Sequence, residues 1–139
     1  MQATTQTAAQ TVTESKAMLW AGRIASALAV LFLIFDGGIK ALNMAPAIEA
    51  TSQLGYATSL VMPLGVLELI CLIIYVIPRT SVLGAILLTG YLGGAIATQV
   101  RSGAPIFSLI FPVIIGALIW GGLFLREKRL RALLPLRRS

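Results

Sequence analysis

Histidine is absent from this sequence, cysteine occurs once, and only 12% of the 139 residues are charged. Without histidine, and with Cys71 as the single thiol, the chain lacks the residues that form zinc sites and histidine-ligated haem sites. It also lacks a second thiol with which Cys71 could form an intramolecular disulfide. We therefore expect no metal, haem or disulfide redox site, and a thiol in an apolar run is typical of a small buried hydrophobic residue.

Hydrophobic residues make up 58% of the chain, and the mean hydropathy is +0.91. A soluble domain is closer to roughly 45–50% apolar and about 25% charged, so this composition is typical of a membrane protein. The net charge of +6 does not indicate a nucleic-acid partner, because six of the eleven basic residues follow Leu125 in one terminal stretch. Such a basic tail is typical of a cytoplasmic segment next to a membrane span, where it can also contact anionic lipid.

Four apolar runs predict the fold class, which is an all-α, polytopic integral membrane protein built as a four-transmembrane-helix bundle. The runs cover about 18–39, 58–77, 81–100 and 105–125, and each has close to the ~20 residues that cross a bilayer. Residues 1–17 are polar without an apolar period and predict a disordered tail. Residues 18–125 form the predicted membrane domain, and 126–139 form the basic C-terminal tail.

The first apolar run is the one segment that also suggests a secretory signal peptide, because the small residues at 45–47 resemble a cleavage site. A polar stretch separates that site from the run, and three more spans follow, so we expect an uncleaved helix. The connection from Asn43 to Ala57 predicts a short amphipathic helix at the surface, with Ile48 and Leu54 facing inward. It could act as a lid over the outer end of the bundle.

Small residues at helical spacing predict where the spans pack together. In a bilayer, helix contacts depend on close approach and on polar groups that cannot face lipid. Gly90 and Gly94 form a Gly-xxx-Gly pair on the third span, and Ala117 and Gly121 form a similar pair on the fourth. We expect all four residues to lie at helix contacts inside the bundle.

Glu68 is the only acidic residue deep in an apolar run, and it predicts a polar site. An ionised carboxylate at mid-membrane costs at least ~2.5 kcal/mol, so Glu68 needs a hydrogen-bond partner, a counter-charge or a proton. With four spans both termini lie on one side, and the basic tail places that side in the cytoplasm. The remaining candidates then lie at or towards the outer end of the bundle and complete an outward-facing polar pocket: Asp36, Lys40, Tyr91, Gln99 and Arg101. Asp36 is expected to pair with Lys40 or Arg101.

The segment from Gly65 to Pro105 resembles the DoxX-like family of small four-helix bacterial membrane proteins. The resemblance rests on Leu67-Glu68, on YVIPRTSVLGAILLTGYLGGAIAT from Tyr75 to Thr98 and on Arg101, and extends to Asp36 and Lys40. It implies the bacterial inner membrane, and it implies a link to redox systems, because the family is named after a subunit associated with thiosulfate oxidation and quinone. Members often carry histidine where Gln99 stands here, so a proton-transfer or metal-binding role at this position is in doubt.

Two functions from different classes fit these observations. In the first, the pocket binds a lipophilic small molecule such as a quinone. In the second, the protein is a non-catalytic membrane subunit or assembly factor that uses its helix faces to hold a protein partner or a second copy of itself. We expect no catalytic activity of its own, and the lack of an internal repeat makes transport less well supported.

Overall fold

The computed structural model describes the backbone of residues 2–134 and the side chains of residues 16–134. This part of the chain contains helices and no strand. The helices, in chain order, are α1 (Gln2–Ala41), α2 (Ala45–Gln53), α3 (Val61–Val76), α4 (Ser81–Arg101), α5 (Ile106–Arg126) and α6 (Lys128–Leu133), with single 3₁₀ turns at Thr58–Leu60 and Pro78–Thr80.

Within the described residues, four helical segments are long and apolar enough to cross a membrane: Lys16–Ala41, Thr58–Val76, Pro78–Arg101 and Ile106–Arg126. The predicted fold class of a four-span α-helical membrane protein is therefore confirmed. Many large apolar side chains lie on the outside of the bundle, including Leu31, Phe35 and Ile73, each at least 60% exposed. In a bilayer these side chains contact lipid rather than water.

The N-terminal segment differs from the disordered tail that the sequence predicts for residues 1–17, because α1 begins at Gln2. Nucleation is the costly step in helix formation, and the apolar span supplies a helix that only has to be extended. The alanine and glutamine residues of this segment are good helix formers, so extension towards the N-terminus is inexpensive in free energy. Residues 135–139 of the predicted basic tail lie outside the described residues.

The four spans form a square in which consecutive spans are antiparallel neighbours. Helix α1 packs against α3 and α5, and α4 packs against the same two helices, whereas within residues 2–134 the backbones of the diagonal pairs α1–α4 and α3–α5 do not come within 8 Å of each other, Cα to Cα. The short helix α2 covers one end of the square, where it touches α1 and α3. Its buried residues are Ala47 and Thr51, whereas the predicted inward residues Ile48 and Leu54 are only half-buried. So short a helix has too few apolar positions for the sequence to define its buried face sharply.

Glycines at three helix crossings allow the backbones to approach closely. A Cβ atom at Gly84 would overlap the backbone of Tyr75, and one at Gly65 would overlap the backbone nitrogen of Ala41. Where α1 crosses α5, a Cβ atom at Gly122 would lie 2.9 Å from the carbonyl oxygen of Gly22. These glycines therefore set the distances between α3 and α4, α1 and α3, and α1 and α5.

The four residues predicted to mediate helix contacts inside the bundle do not do so. A Cβ atom at Gly90, Gly94 or Gly121 would meet no atom of the described chain within 4 Å, and Ala117 is exposed. The prediction was wrong because spacing identifies a common helix face but not its direction. On α4 the buried face is formed by Ser81, Gly84, Ala85, Leu88 and Leu92.

Candidate ligand-binding site

A cavity of about 500 Å³ lies among the four spans at one end of the bundle. It is lined by residues from the C-terminal halves of α1 and α4, from the N-terminal halves of α3 and α5, and from α2 and the segment after it. These are the ends opposite to the two chain termini, so the cavity opens on the side of the bundle away from the basic tail. A volume of this size can hold a drug-sized ligand.

Lys40 is the centre of a charged cluster on the cavity wall. Its ammonium nitrogen donates hydrogen bonds to Asp36 Oδ2 at 2.5 Å, to Glu68 Oε2 at 3.1 Å and to the hydroxyl oxygen of Tyr91 at 3.2 Å. The cluster thus joins α1, α3 and α4. Asp36 and Lys40 are four residues apart on α1, a spacing that places them on one helix face.

Glu68 is fully buried, and only one of its two carboxylate oxygens is bonded. Oε2 accepts from Lys40, while Oε1 has no hydrogen-bond partner among the residues that the structure describes. A buried polar atom without a partner costs roughly 1–3 kcal/mol, and more when it carries charge. Because Glu68 also lines the cavity, the missing partner can come from a molecule inside it.

The close crossing of α1 and α3 explains why Lys40 can reach Glu68. Gly65 lies against the backbone of α1. A Cβ atom added at this position would be only 2.6 Å from Lys40 Cβ. Gly37 lies opposite α3, where a Cβ atom would be 2.9 Å from Leu69 and 3.5 Å from the carboxyl carbon of Glu68. Any larger side chain at either position would separate the two helices and lengthen the ion pair.

The rest of the cavity wall is largely apolar and aromatic. Phe32 and Phe111 meet edge to face with ring centroids 4.7 Å apart, and Phe107 lines the same space. Gly90 and Gly94 contribute bare backbone on α4, which leaves room where side chains would otherwise stand. Pro112 of α5 also lines the cavity, and its missing N–H leaves the carbonyl of Ser108 without its helical donor.

Helix α2 and the residues that follow it cover the mouth of the cavity. Tyr56 forms a hydrogen bond of 2.9 Å with Thr98 Oγ1 of α4, and Thr51 and Leu54 line the cavity from the same side. We call residues 45–56, which comprise α2 and the three residues after it, the lid. Residues with positive φ angles lie just before it, Asn43 at 56°, and near its end, Gly55 at 89°.

Of the six residues that the sequence nominates for the pocket, five line this cavity: Asp36, Lys40, Glu68, Tyr91 and Gln99. Arg101 does not, since its side chain is exposed at the end of α4, and the salt bridges of the described chain pair Asp36 with Lys40 instead. Sequence reasoning missed Tyr56, Thr98 and the three phenylalanines. Phenylalanine in an apolar run carries no signal that separates a cavity wall from a lipid-facing surface.

A second buried polar network lies in the half of the bundle nearer the termini. The Tyr75 hydroxyl and Ser26 Oγ lie 2.9 Å apart, and the Tyr75 hydroxyl donates to the carbonyl oxygen of Ile119 at 3.1 Å. Tyr75 is 2% exposed. This network contains no charged group, and its hydroxyls bond one another and the backbone.

Comparison with known proteins identifies one family. The model described as the DoxX-like family matches residues 24–122, which include the four spans almost completely and the entire charged cluster. No curated protein matches the chain, and no solved structure matches it.

Proposed function

Since the chain belongs to the DoxX-like family of membrane proteins, we propose that it binds a lipophilic molecule with a polar ring, such as a quinone, in the cavity between its spans. The observation that carries the proposal is Glu68, a fully buried residue that lines the cavity and whose Oε1 lacks a hydrogen-bond partner in the described chain. Apolar walls with a few convergent polar groups are the usual composition of small-molecule sites.

The position of the cavity supports access from the membrane. Gly90 and Gly94 line the cavity and are exposed, as are Phe107 and Phe111 in the first turns of α5. An apolar tail can therefore extend past these residues into the lipid while the polar ring contacts the charged cluster. The protein in this proposal lies in the bacterial inner membrane with cytoplasmic termini, holds its ligand at the outer side and has no catalytic activity of its own.

The test compares two leucine substitutions on α4. Gly94 lines the cavity, whereas the adjacent Gly93 does not, and neither position has an atom of the described chain within 4 Å of a hypothetical Cβ. Gly94→Leu should remove a copurifying ligand that native mass spectrometry and organic extraction detect in the wild type. Gly93→Leu should retain it. Equal retention by both variants, or a wild type that carries no small molecule at all, would contradict the proposal.

A second candidate function is that of a non-catalytic subunit or assembly factor. The small residues Gly90, Gly93 and Gly94 favour it, because nothing in the described chain covers this face of α4. A partner helix could pack closely there. Crosslinking from Gly93→Cys in a Cys71→Ala background should then yield an adduct with a different membrane protein. Recovery of this chain alone would count against that function.

A further inference from the structure

We infer that the cavity selects a ring that carries a hydroxyl group, as in a quinol, over a ring that carries only carbonyl oxygens, as in the corresponding quinone. This inference rests on the proposed function, because it assumes that a lipophilic ring enters the cavity. It concerns which hydrogen-bonding groups the ring presents to the charged cluster.

The N–H donors of Lys40 already have hydrogen-bond acceptors within the cluster. An ammonium group has three N–H bonds, and those of Lys40 are directed to Asp36, Glu68 and Tyr91. No N–H of Lys40 remains for a carbonyl oxygen of a ligand. To bond the ammonium group, a quinone, which only accepts hydrogen bonds, would have to displace one of these three partners.

With Glu68 ionised, as its salt bridge to Lys40 at 3.1 Å favours, the open position of the cluster is an acceptor. Glu68 lines the cavity, and its Oε1 is buried and has no donor within the described part of the chain. A hydroxyl hydrogen from a ligand supplies that donor, and hydrogen bonds to charged groups are among the stronger ones in proteins.

The neighbouring Tyr91 hydroxyl can bond the oxygen atom of a ligand hydroxyl. Its oxygen accepts from Lys40, so its own hydrogen can be donated to the oxygen of the ligand. A hydroxyl group both donates and accepts, and it can therefore bond Glu68 and Tyr91 together. A carbonyl can bond only the tyrosine, and a protonated amine can bond only the carboxylate.

Charge excludes a third class of head group. Lys40 is the single cation of the cluster and faces two carboxyl groups, those of Asp36 and Glu68. With both ionised, the cluster is formally negative, so a phosphate or carboxylate on the ligand would be repelled inside a region of low dielectric. The aromatic side chains Phe32, Phe107 and Phe111 instead suit a flat, neutral ring.

The experiment measures binding of three matched probes to the full-length protein in nanodiscs under anaerobic conditions. The probes are a short-chain benzoquinone, its two-electron-reduced quinol and the O-methylated quinol, which keeps the ring but has no hydroxyl hydrogen. Isothermal titration should show the quinol binding at least ~10-fold more tightly than the other two.

The variant Glu68→Gln provides a stricter test, because Lys40 determines the orientation of the glutamine side-chain amide. The ammonium group only donates, so the amide oxygen must face Lys40 and the NH₂ group must occupy the position of Oε1. The open acceptor becomes a donor, and the preference should reverse in favour of the quinone. Glu49→Gln, the same change on an exposed residue of α2 outside the cavity, should leave the wild-type preference intact.

The outcomes separate this inference from the proposed function. Equal binding of all three probes, or tighter binding of the quinone to the wild type, would overturn the selection of a hydroxyl and leave the binding site standing. No binding of any probe would overturn both. Should Glu68→Gln fail to fold, the three probes on the wild type still decide the inference.

Discussion

The two halves of the bundle differ in whether their buried polar groups all have hydrogen-bond partners. In the half nearer the termini, Ser26 and Tyr75 bond one another and a backbone carbonyl, and Gly22 and Gly122 bring the backbones of α1 and α5 together around them. In the other half, two carboxyl groups and Tyr91 surround one ammonium group beside a cavity, and one carboxylate oxygen is left without a partner in the described chain.

The difference distinguishes polar groups that hold the helices together from polar groups that are available to bind a ligand. Neutral hydroxyls that satisfy one another link helices without needing any other molecule. A buried charged cluster is expensive and is a weak source of stability, so its presence in a membrane is better explained by a role in binding. Substitutions in the two halves should therefore affect stability and ligand binding in different proportions.

The largest effect should follow removal of the cation from the charged half. Lys40→Met leaves the buried Glu68 and the half-buried Asp36 without a counter-charge, which should lower the free energy of unfolding by about 3–5 kcal/mol. Chemical denaturation in detergent measures this loss. Lys16→Met, on an exposed turn of α1, should change stability by less than about 0.5 kcal/mol. Addition of Glu68→Gln to Lys40→Met should recover part of the loss, and an unaltered stability of Lys40→Met would refute a buried ion pair.

The next largest effect should distinguish packed glycines from cavity glycines on the same helix. Gly84→Ala places a methyl group against the backbone of Tyr75 and should cost about 3 kcal/mol. Gly94→Ala meets no atom of the described chain within 4 Å and should be neutral, or stabilising by up to about 1 kcal/mol through helix propensity. Thermal unfolding of both variants checks the contrast. Equal melting temperatures would mean that α3 and α4 do not cross closely at Gly84.

A smaller effect is expected from Tyr75→Phe in the closed half. The substitution leaves the Ser26 hydroxyl without this partner, removes the additional hydrogen bond to the Ile119 carbonyl and should cost about 2 kcal/mol, with no change in ligand affinity. A double-mutant cycle with Ser26→Ala measures the coupling between the two hydroxyls. Strict additivity of the two changes, or a loss of ligand binding in Tyr75→Phe, would contradict the division into two halves.

The smallest change in stability should come from the lid. Tyr56→Phe removes the hydrogen bond to Thr98 at a partly exposed site, so we expect a stability loss below about 1 kcal/mol. The ligand should nevertheless dissociate several-fold faster, because residues 45–56 are then held less firmly over the mouth. Dissociation rates from competition experiments test this, with Tyr56→Trp as a comparison that keeps a hydrogen-bond donor. An unchanged rate in Tyr56→Phe would show that the lid does not control release.

The membrane topology could be predicted from the sequence because it depends on one-dimensional properties, namely the length and polarity of each run. The charged cluster could be predicted in part for the same reason, since Asp36, Lys40 and Glu68 are unusual residues for an apolar helix wherever they point. Gly90 and Gly94 could not be assigned correctly. Their spacing is the same whether the helix face meets another helix, lines a cavity or contacts lipid.

The glycines at the helix crossings could not be identified from the sequence, because the distance between two helices depends on residues of both helices. Gly84 is not part of a Gly-xxx-Gly pair, yet it makes the closest approach among the three glycine crossings. Gly65 and Gly37 lie on different spans and gain their role only when α1 and α3 cross. The same limit applies to the exclusion of Arg101, whose position in sequence suits the cluster but whose side chain lies outside the cavity.

The most direct measurement of the central claim is a density map of the protein extracted from its own membrane without added ligand. We predict a flat feature between Phe32, Phe111 and the charged cluster, with a polar atom within hydrogen-bonding distance of Glu68 Oε1 and a tail that passes Gly90 and Gly94. A cavity filled by the protein's own side chains, or one that holds only water bonded to Glu68, would contradict the account.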